Sequence, residues 1–238
     1  MSYVWSTLED SGTQALVYSD HARLDIRDMF AFPPRRILDL GCATGAVSGS
    51  IKTDFPEVFA WGCELNPRNA DIAETRLDKI TRSTTDQWGI DEIEMLHTID
   101  TVLLLDVLEH TYNPWSILQF LRKHLPSNAQ IIISLPNVGN FNIIKELANG
   151  FWSYQHVGIL DITHLRFFTE HEMKKMIHET GFEITKQSMN CYPHANPEEL
   201  KDFPVWYGTD DLKIKVLNQT QWNNLHAVQH YFRVSIPK

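Results

Sequence analysis

The sequence predicts an open α/β sheet covered by helices on both faces, and three observations carry that prediction. Short apolar runs closed by turn residues recur along the chain, and stretches with helical spacing of apolar residues separate them. Runs such as Val102-Leu103-Leu104-Leu105 and Ile131-Ile132-Ile133 are continuous rather than alternating, as in strands buried on both faces. Strand, turn and helix follow one another in the order that builds a parallel sheet.

Taken in order, Ala22, Ile26, Met29 and Phe30 share one face of a first helix, which Ser19 or Asp20 caps and Pro33-Pro34 ends. Arg36–Leu40 is the first core strand and stops at Gly41. A helix over about Ala46 to Lys52 leads to a strand near Phe59–Cys63. Asn66-Pro67 then supplies an N-cap and an N1 proline for a helix to about Leu77. The stretch 78–98 reads as a short strand near Lys79-Ile80-Thr81 followed by a polar loop. Thr101–Leu105 is a buried strand ending at Asp106, and Asn113-Pro114 opens a helix with the stripe Ile117, Leu118, Leu121, Leu125. Gln130–Leu135 is the next buried strand, closed by Pro136-Asn137. Thr169-x-x-Glu172 is a capping box ahead of Met173, Met176 and Ile177, with Gly181 at the C′ position. Phe182–Ile184 and Ala227–Val234 make the last strands. Residues 139–168 are aromatic-rich and break the rhythm just after a strand's carboxyl end, where open α/β sheets bind ligands. They are expected to form a lid, and 1–32 a helical cap, on a single domain spanning 1–238.

Composition narrows the function. Lys and Arg total 21 against 30 Asp and Glu in 238 residues, a net charge of −9, which disfavours a nonspecific nucleic-acid binder. Cys42, Cys63 and Cys191 are odd in number and lack C-x-x-C spacing, which fits a reducing compartment and supplies no zinc framework. Residues 1–20 carry neither a basic nor an apolar leader region, and no apolar run is long enough to span a bilayer. A cytoplasmic protein is expected, with its oligomeric state left open.

The loop Asp39-Leu40-Gly41-Cys42-Ala43-Thr44-Gly45 is the most informative segment. Gly41 permits a sharp strand-to-helix turn, and Gly45 lets a ligand approach the backbone at a helix N-terminus. Asp39 can orient the loop or hold a ligand ammonium. Glu64, at the end of the second strand, can accept two hydrogen bonds from a ribose diol. A dinucleotide fingerprint fits poorly, because the corresponding run is Gly41-x-Ala43-x-x-Ala46. That weighs against a nicotinamide oxidoreductase.

The spacing D-x-G-x-(G/A)-x-G instead resembles motif I of class I S-adenosylmethionine-dependent methyltransferases, with Ala43 at the usual middle glycine. Leu105-Asp106-Val107-Leu108-Glu109-His110 resembles the D-V-L-E-H signature after that superfamily's fourth strand, and Ser134-Leu135-Pro136-Asn137 its S-x-P-N end of strand five. Trp152-x-Tyr154 and the run Asp161-x-Thr163-His164-Leu165-Arg166-Phe167-Phe168-Thr169 look like a narrower subgroup that accompanies bacterial surface-polysaccharide pathways. The resemblance implies a Rossmann-like, open, seven-stranded, mostly parallel sheet and S-adenosylmethionine as cofactor. It further implies that Gly41, Cys42, Ala43 and Gly45 hold the methionine part, that Glu64 binds the ribose, and that Leu65 flanks the adenine. Asp106 and Val107 would line the site, and Tyr18 and Arg23 would fold over it. Thr84 stands where the family has an acid near the adenine, with Asp86 close enough to substitute.

Methyl transfer to a hydroxyl benefits from a general base, and histidine suits that task near neutral pH. His164 is the first candidate and His110 the second. Arg166 is placed either to bind an anionic acceptor or to pair with Asp161. Trp152 and Tyr154 either stack on a sugar ring or fill the lid's own core. Asp106 and Asn137 could offer oxygens to Mg²⁺, but no third acidic ligand accompanies them, and no metal is expected. The expected activity is methyl transfer to an oxygen of a sugar-type or other small acceptor. The alternative is a catalytically silent, cofactor-binding partner in a glycan-assembly complex.

Overall fold

The computed structural model describes residues 21–237. Its main sheet has seven strands in the order β3-β2-β1-β4-β5-β9-β6. These are β1 (Arg36–Leu40), β2 (Phe59–Cys63), β3 (Lys79–Thr81), β4 (Thr101–Leu105), β5 (Gln130–Pro136), β6 (Glu183–Asn190) and β9 (Gln229–Ser235). The first five run parallel, and β9 lies antiparallel between β5 and β6. Strand order reverses between β1 and β4, so a crevice opens beyond their carboxyl ends.

Successive residues along each strand feed opposite faces. Leu38, Trp61, Leu104, Ile133 and Phe232 enter one buried cluster, while Ile37, Ala60, Leu103, Ile132 and Tyr231 enter another. Over the first face pack α3 (Ile90–Leu96), α4 (Pro114–His124) and α6 (Glu170–Glu179), through Leu96, Leu118, Leu121, Met173 and Met176. Over the second lie α1 (Ala46–Asp54), through Ile51, and α2 (Pro67–Ala73), through Ala73. The expected caps form: the side chains of Asn66 and Asn113 accept backbone N–H bonds at the starts of α2 and α4, and Thr169 at that of α6.

Several expectations are corrected. The first helix is a 3-10 turn over Leu24–Met29, not an α-helix over Ala22–Phe30. Arg23 enters it in a left-handed conformation, and the two prolines follow at once, leaving room only for the tighter i→i−3 bonds such as Ile26 N–H to Arg23. Its caps Ser19 and Asp20, and also Tyr18, lie outside the described residues. Helix α2 ends at Ala73, short of Leu77, because the chain tightens to the bonds Thr75–Ile72 and Arg76–Ala73. The polar loop after β3 contains α3, started by the Glu92 carboxylate accepting from Gly89 N–H. The 139–168 segment opens with α5 (Phe141–Ala148) and returns to the sheet through the bridge Asn137–Phe168. Strand β6 runs on to Asn190. Before β9 the chain adds a separate hairpin, β7 (Val205–Gly208) with β8 (Lys213–Val216), and α7 (Gln219–His226).

Candidate functional site

A cavity of about 760 Å³ occupies the crevice beyond β1 and β4. The loop after β1 forms its floor. Gly41 and Gly45 have φ of +69° and +74°, and a side chain at 41 would press a Cβ to 2.7 Å from Val107. Only glycine meets both demands at 41. Ala43 also adopts positive φ, 47°, the conformation that a middle glycine would take without strain. Gly41 and Cys42 N–H both donate to Cys63 O, which ties the loop to the end of β2.

Glu64 accepts from Ala43 N–H through one carboxylate oxygen at 2.9 Å and from Asn66 N–H through the other at 2.7 Å. These bonds fix the carboxylate at the cavity wall, and each oxygen keeps a lone pair for a further donor. Asp39 also lines the cavity. It is 3% exposed and accepts from the Ser48 hydroxyl at 2.6 Å, and burial pushes its pKa up to about 7. Leu65, Asn66, Asn69, Ser83, Thr84 and Thr85 complete the wall beyond β2 and β3. Asp86, the expected stand-in for the adenine-side acid, is not among the lining residues. Burial pushes the thiols of Cys42 and Cys63 up, Cys63 to about 12, so neither is poised as a nucleophile.

The opposite wall comes from the end of β4. Asp106, at φ 59°, accepts from Arg23 at 2.8 Å, from the Ser134 hydroxyl at 2.8 Å and from Gln229. Burial opposes the Arg23 charge, but Asp106, Tyr231 and Asp25 outweigh it and hold the guanidinium firmly protonated. Arg23, Asp106, Val107 and His21 line this side of the cavity. The proposed Mg²⁺ pair is taken up otherwise: Asp106 by these donors, and Asn137 by Gly139 N–H and the carbonyls of Asn224 and Ala227.

Beyond Asp106 the chain makes a 3-10 turn, Leu108–His110. The Glu109 carbonyl accepts from both Leu165 and Arg166 N–H, so the 161–168 run is fastened onto this turn. That brings the His110 and His164 rings to 4.7 Å between centroids, edge to face. His110 and Thr163 line the cavity, whereas His164 lies behind them, 8% exposed, with its pKa lowered by burial and by His110. Arg166 also lies away from the cavity. It donates to the carbonyls of Leu165 and Tyr112 rather than to Asp161, which instead receives Thr163 N–H and hydroxyl. Trp152 packs edge to face on Phe167, within the segment's own aromatic core.

Sequence reasoning passed over Glu109. It is 1% exposed, neither carboxylate oxygen has a hydrogen-bond partner among the described residues, and burial raises its pKa well above the usual range. Its position beside His110 in D-V-L-E-H was the available signal. No helix among the described residues is long and apolar enough to cross a membrane.

The chain is similar in sequence and in fold to known proteins. The mitochondrial ubiquinone biosynthesis O-methyltransferase of Schizosaccharomyces pombe is 25% identical over 134 residues, 52% of this chain and 48% of that protein. The chain thus spans about half the length of that curated relative. A methyltransferase structure from Thermotoga maritima, described as a possible histamine N-methyltransferase, superposes with a TM-score of 0.59 at 16% identity. The match covers 91% of this chain and 88% of that one. Magnesium protoporphyrin IX methyltransferase from Synechocystis, solved with bound S-adenosylhomocysteine, gives 0.55 at 14% identity over 100% and 89% of the two chains. These two likenesses concern the fold. Residues 19–187, well over half of the chain, match the methyltransferase domain family; the chain belongs to that family, and S-adenosylmethionine is its cofactor.

Proposed function

We propose that the chain transfers the methyl group of S-adenosylmethionine to an oxygen of a sugar-type or other small acceptor. The observation that carries this reading is one cavity with two chemically distinct walls: the glycine loop with Glu64 on one side, and Asp106, His110 and Thr163 on the other. Gly41 to Gly45 receive the methionine part, Asp39 faces its ammonium, Glu64 accepts from the ribose hydroxyls, and Leu65 flanks the adenine. The bound cofactor supplies an activated methyl on a sulfonium. The acceptor oxygen's lone pair forms the new C–O bond as the C–S bond breaks, and the C–S pair stays on sulfur. The acceptor's proton leaves on the side of His110, which reaches the cavity where His164 does not. Positioning both reactants in line supplies much of the rate.

In the same reading, residues 1–238 form one domain, 1–32 act as its cap, and 139–168 as its lid. The Arg23–Asp106 ion pair supports the cap, and Thr163 at the cavity wall supports the lid. The D-x-T-H-L-R-F-F-T run favours the subgroup linked to surface polysaccharides, working in the cytoplasm.

Calorimetric titration with S-adenosylmethionine and S-adenosylhomocysteine tests the cofactor half. Methyl-label transfer into a deproteinised cell extract, with mass identification of the product, tests the acceptor half. Absence of binding to either ligand overturns the reading. Binding without label transfer to any small molecule favours a silent partner instead.

A further inference from the structure

We infer that Glu109, His110 and His164 form a binding site for a divalent transition-type cation on the acceptor side of the cavity. One ligand atom from each residue lies within 4.8 Å of the others. The bonding around them leaves the right lone pairs. The Thr163 hydroxyl donates to Asp161 Oδ1 at 2.7 Å, so at 3.1 Å it accepts from His110 Nδ1–H, and His110 Nε2 is left with a lone pair. His164 Nδ1 lies 3.0 Å from the Ile159 carbonyl, which only accepts, so His164 Nε2 is likewise unprotonated. Orientation of ligand imidazoles by a backbone carbonyl or a carboxylate-backed group is what metal centres require.

Glu109 supplies the anion. Both its oxygens are buried and without a hydrogen-bond partner among the described residues, an arrangement costly for a carboxyl group unless an electrophile meets it. Ligands on one ion at bonds of about 2.0–2.2 Å sit about 3–4 Å apart, so side-chain shifts of about an ångström close the set. Two imidazoles and one carboxylate suit Zn²⁺, Mn²⁺ or Fe²⁺ better than Mg²⁺ or Ca²⁺. His110 and Thr163 border the cavity, so open coordination positions face the acceptor. The site stands on its own geometry; its role rests on the methyl-transfer reading. In that role an acceptor hydroxyl binds the ion, its O–H acidity rises, and its proton passes to water on the His110 side of the cavity before the oxygen attacks the methyl carbon, with His110 serving as a ligand and not as the base.

The test uses the full chain stripped with a chelator and titrated with Zn²⁺, Mn²⁺ and Mg²⁺ by calorimetry, with elemental analysis for stoichiometry. One equivalent of Zn²⁺ or Mn²⁺ is expected, in preference to Mg²⁺. Glu109→Gln and His164→Ala should abolish that binding, and Thr163→Val, which only positions His110, should weaken it about 10–100-fold. Co²⁺ loaded in place of the native ion should give a visible spectrum that Thr163→Val shifts. Circular dichroism checks that each variant folds, and His110→Gln replaces any that does not. No stoichiometric binding, or binding unchanged in these variants, overturns the site. Metal binding without affinity for S-adenosylmethionine would instead overturn the methyl-transfer reading and leave the site intact.

Discussion

Two acids end neighbouring strands of the cavity and are held differently. Glu64 meets two backbone N–H groups and faces the open cavity, so it is set to accept from a neutral diol. Replacing it by alanine should weaken S-adenosylmethionine binding about 10–100-fold, since hydrogen bonds to a charged acceptor contribute about 1.5–3 kcal/mol. Calorimetry at fixed pH measures this, and an unchanged affinity would remove Glu64 from the site. Asp39 is buried beside the same loop, and burial lifts its pKa from 3.8 to about 7. Its folded pKa is raised, so the stabilising protonated form is fully present below about pH 4, and that stability is lost as pH rises through 7. An ammonium ligand needs the ionised form. Affinity for S-adenosylmethionine should therefore climb up to about tenfold per unit as pH rises toward 7, then level off. The Asp39→Asn variant should bind more weakly with a flatter profile, and a wild-type profile flat between pH 5.5 and 8 (roughly the window around that titration) would count against the assignment.

At the scale of elements, the loop between β1 and α1 works because its backbone visits left-handed conformations three times, at Gly41, Ala43 and Gly45. Gly41→Ala meets both strain at φ +69° and a contact at 2.7 Å with Val107 Cγ2. It should lose about 1–3 kcal/mol of stability and most cofactor affinity, and Val107→Ala added to it should restore part of the stability by removing the contact. Urea unfolding of the single and double variants measures this; no recovery would mean that φ strain alone dominates. The loop was legible in the sequence because glycine spacing and strand-end acids are local features. So were β1, β2, β4 and β5, whose continuous apolar runs follow from burial on both faces. Elements with weak patterns were not. In α3 only Leu96 is buried, and β6 is an edge strand with Thr185, Lys186, Gln187 and Ser188 turned largely to solvent, so neither shows a period. The Glu109–His110–His164 cluster was hidden for another reason. It depends on the Glu109 carbonyl capturing Leu165 and Arg166, a pairing between segments far apart in the chain that no local pattern encodes.

Across the whole molecule, the site and the late excursion of the chain rest on separate packing. The hairpin β7–β8 and helix α7 gather with α5 around Phe141, Val216 and Leu225, and Tyr207 stacks edge to face on both Phe141 and Trp222. None of these residues lines the cavity. The excursion is joined to the main sheet where Asn137 and Asn140, just past β5, donate to carbonyls between Asn224 and Ala227. Few buried residues and one polar seam make a region that opens locally at low cost, while the two sheet faces hold the cavity walls. Tyr207→Ala removes the ring that links α5, β7 and α7. It should speed hydrogen exchange across 203–226 and lower local stability by about 1–3 kcal/mol, with exchange in β1, β4 and β5 unaltered. Affinity for S-adenosylmethionine should stay within about twofold of the parent chain, because distant sites without shared partners behave additively. Exchange mass spectrometry paired with calorimetry separates the two effects. A fall in cofactor affinity alongside the faster exchange would mean that the seam at Asn137 transmits the excursion's packing to the strand ends, and the two parts would then have to be treated as one cooperative unit.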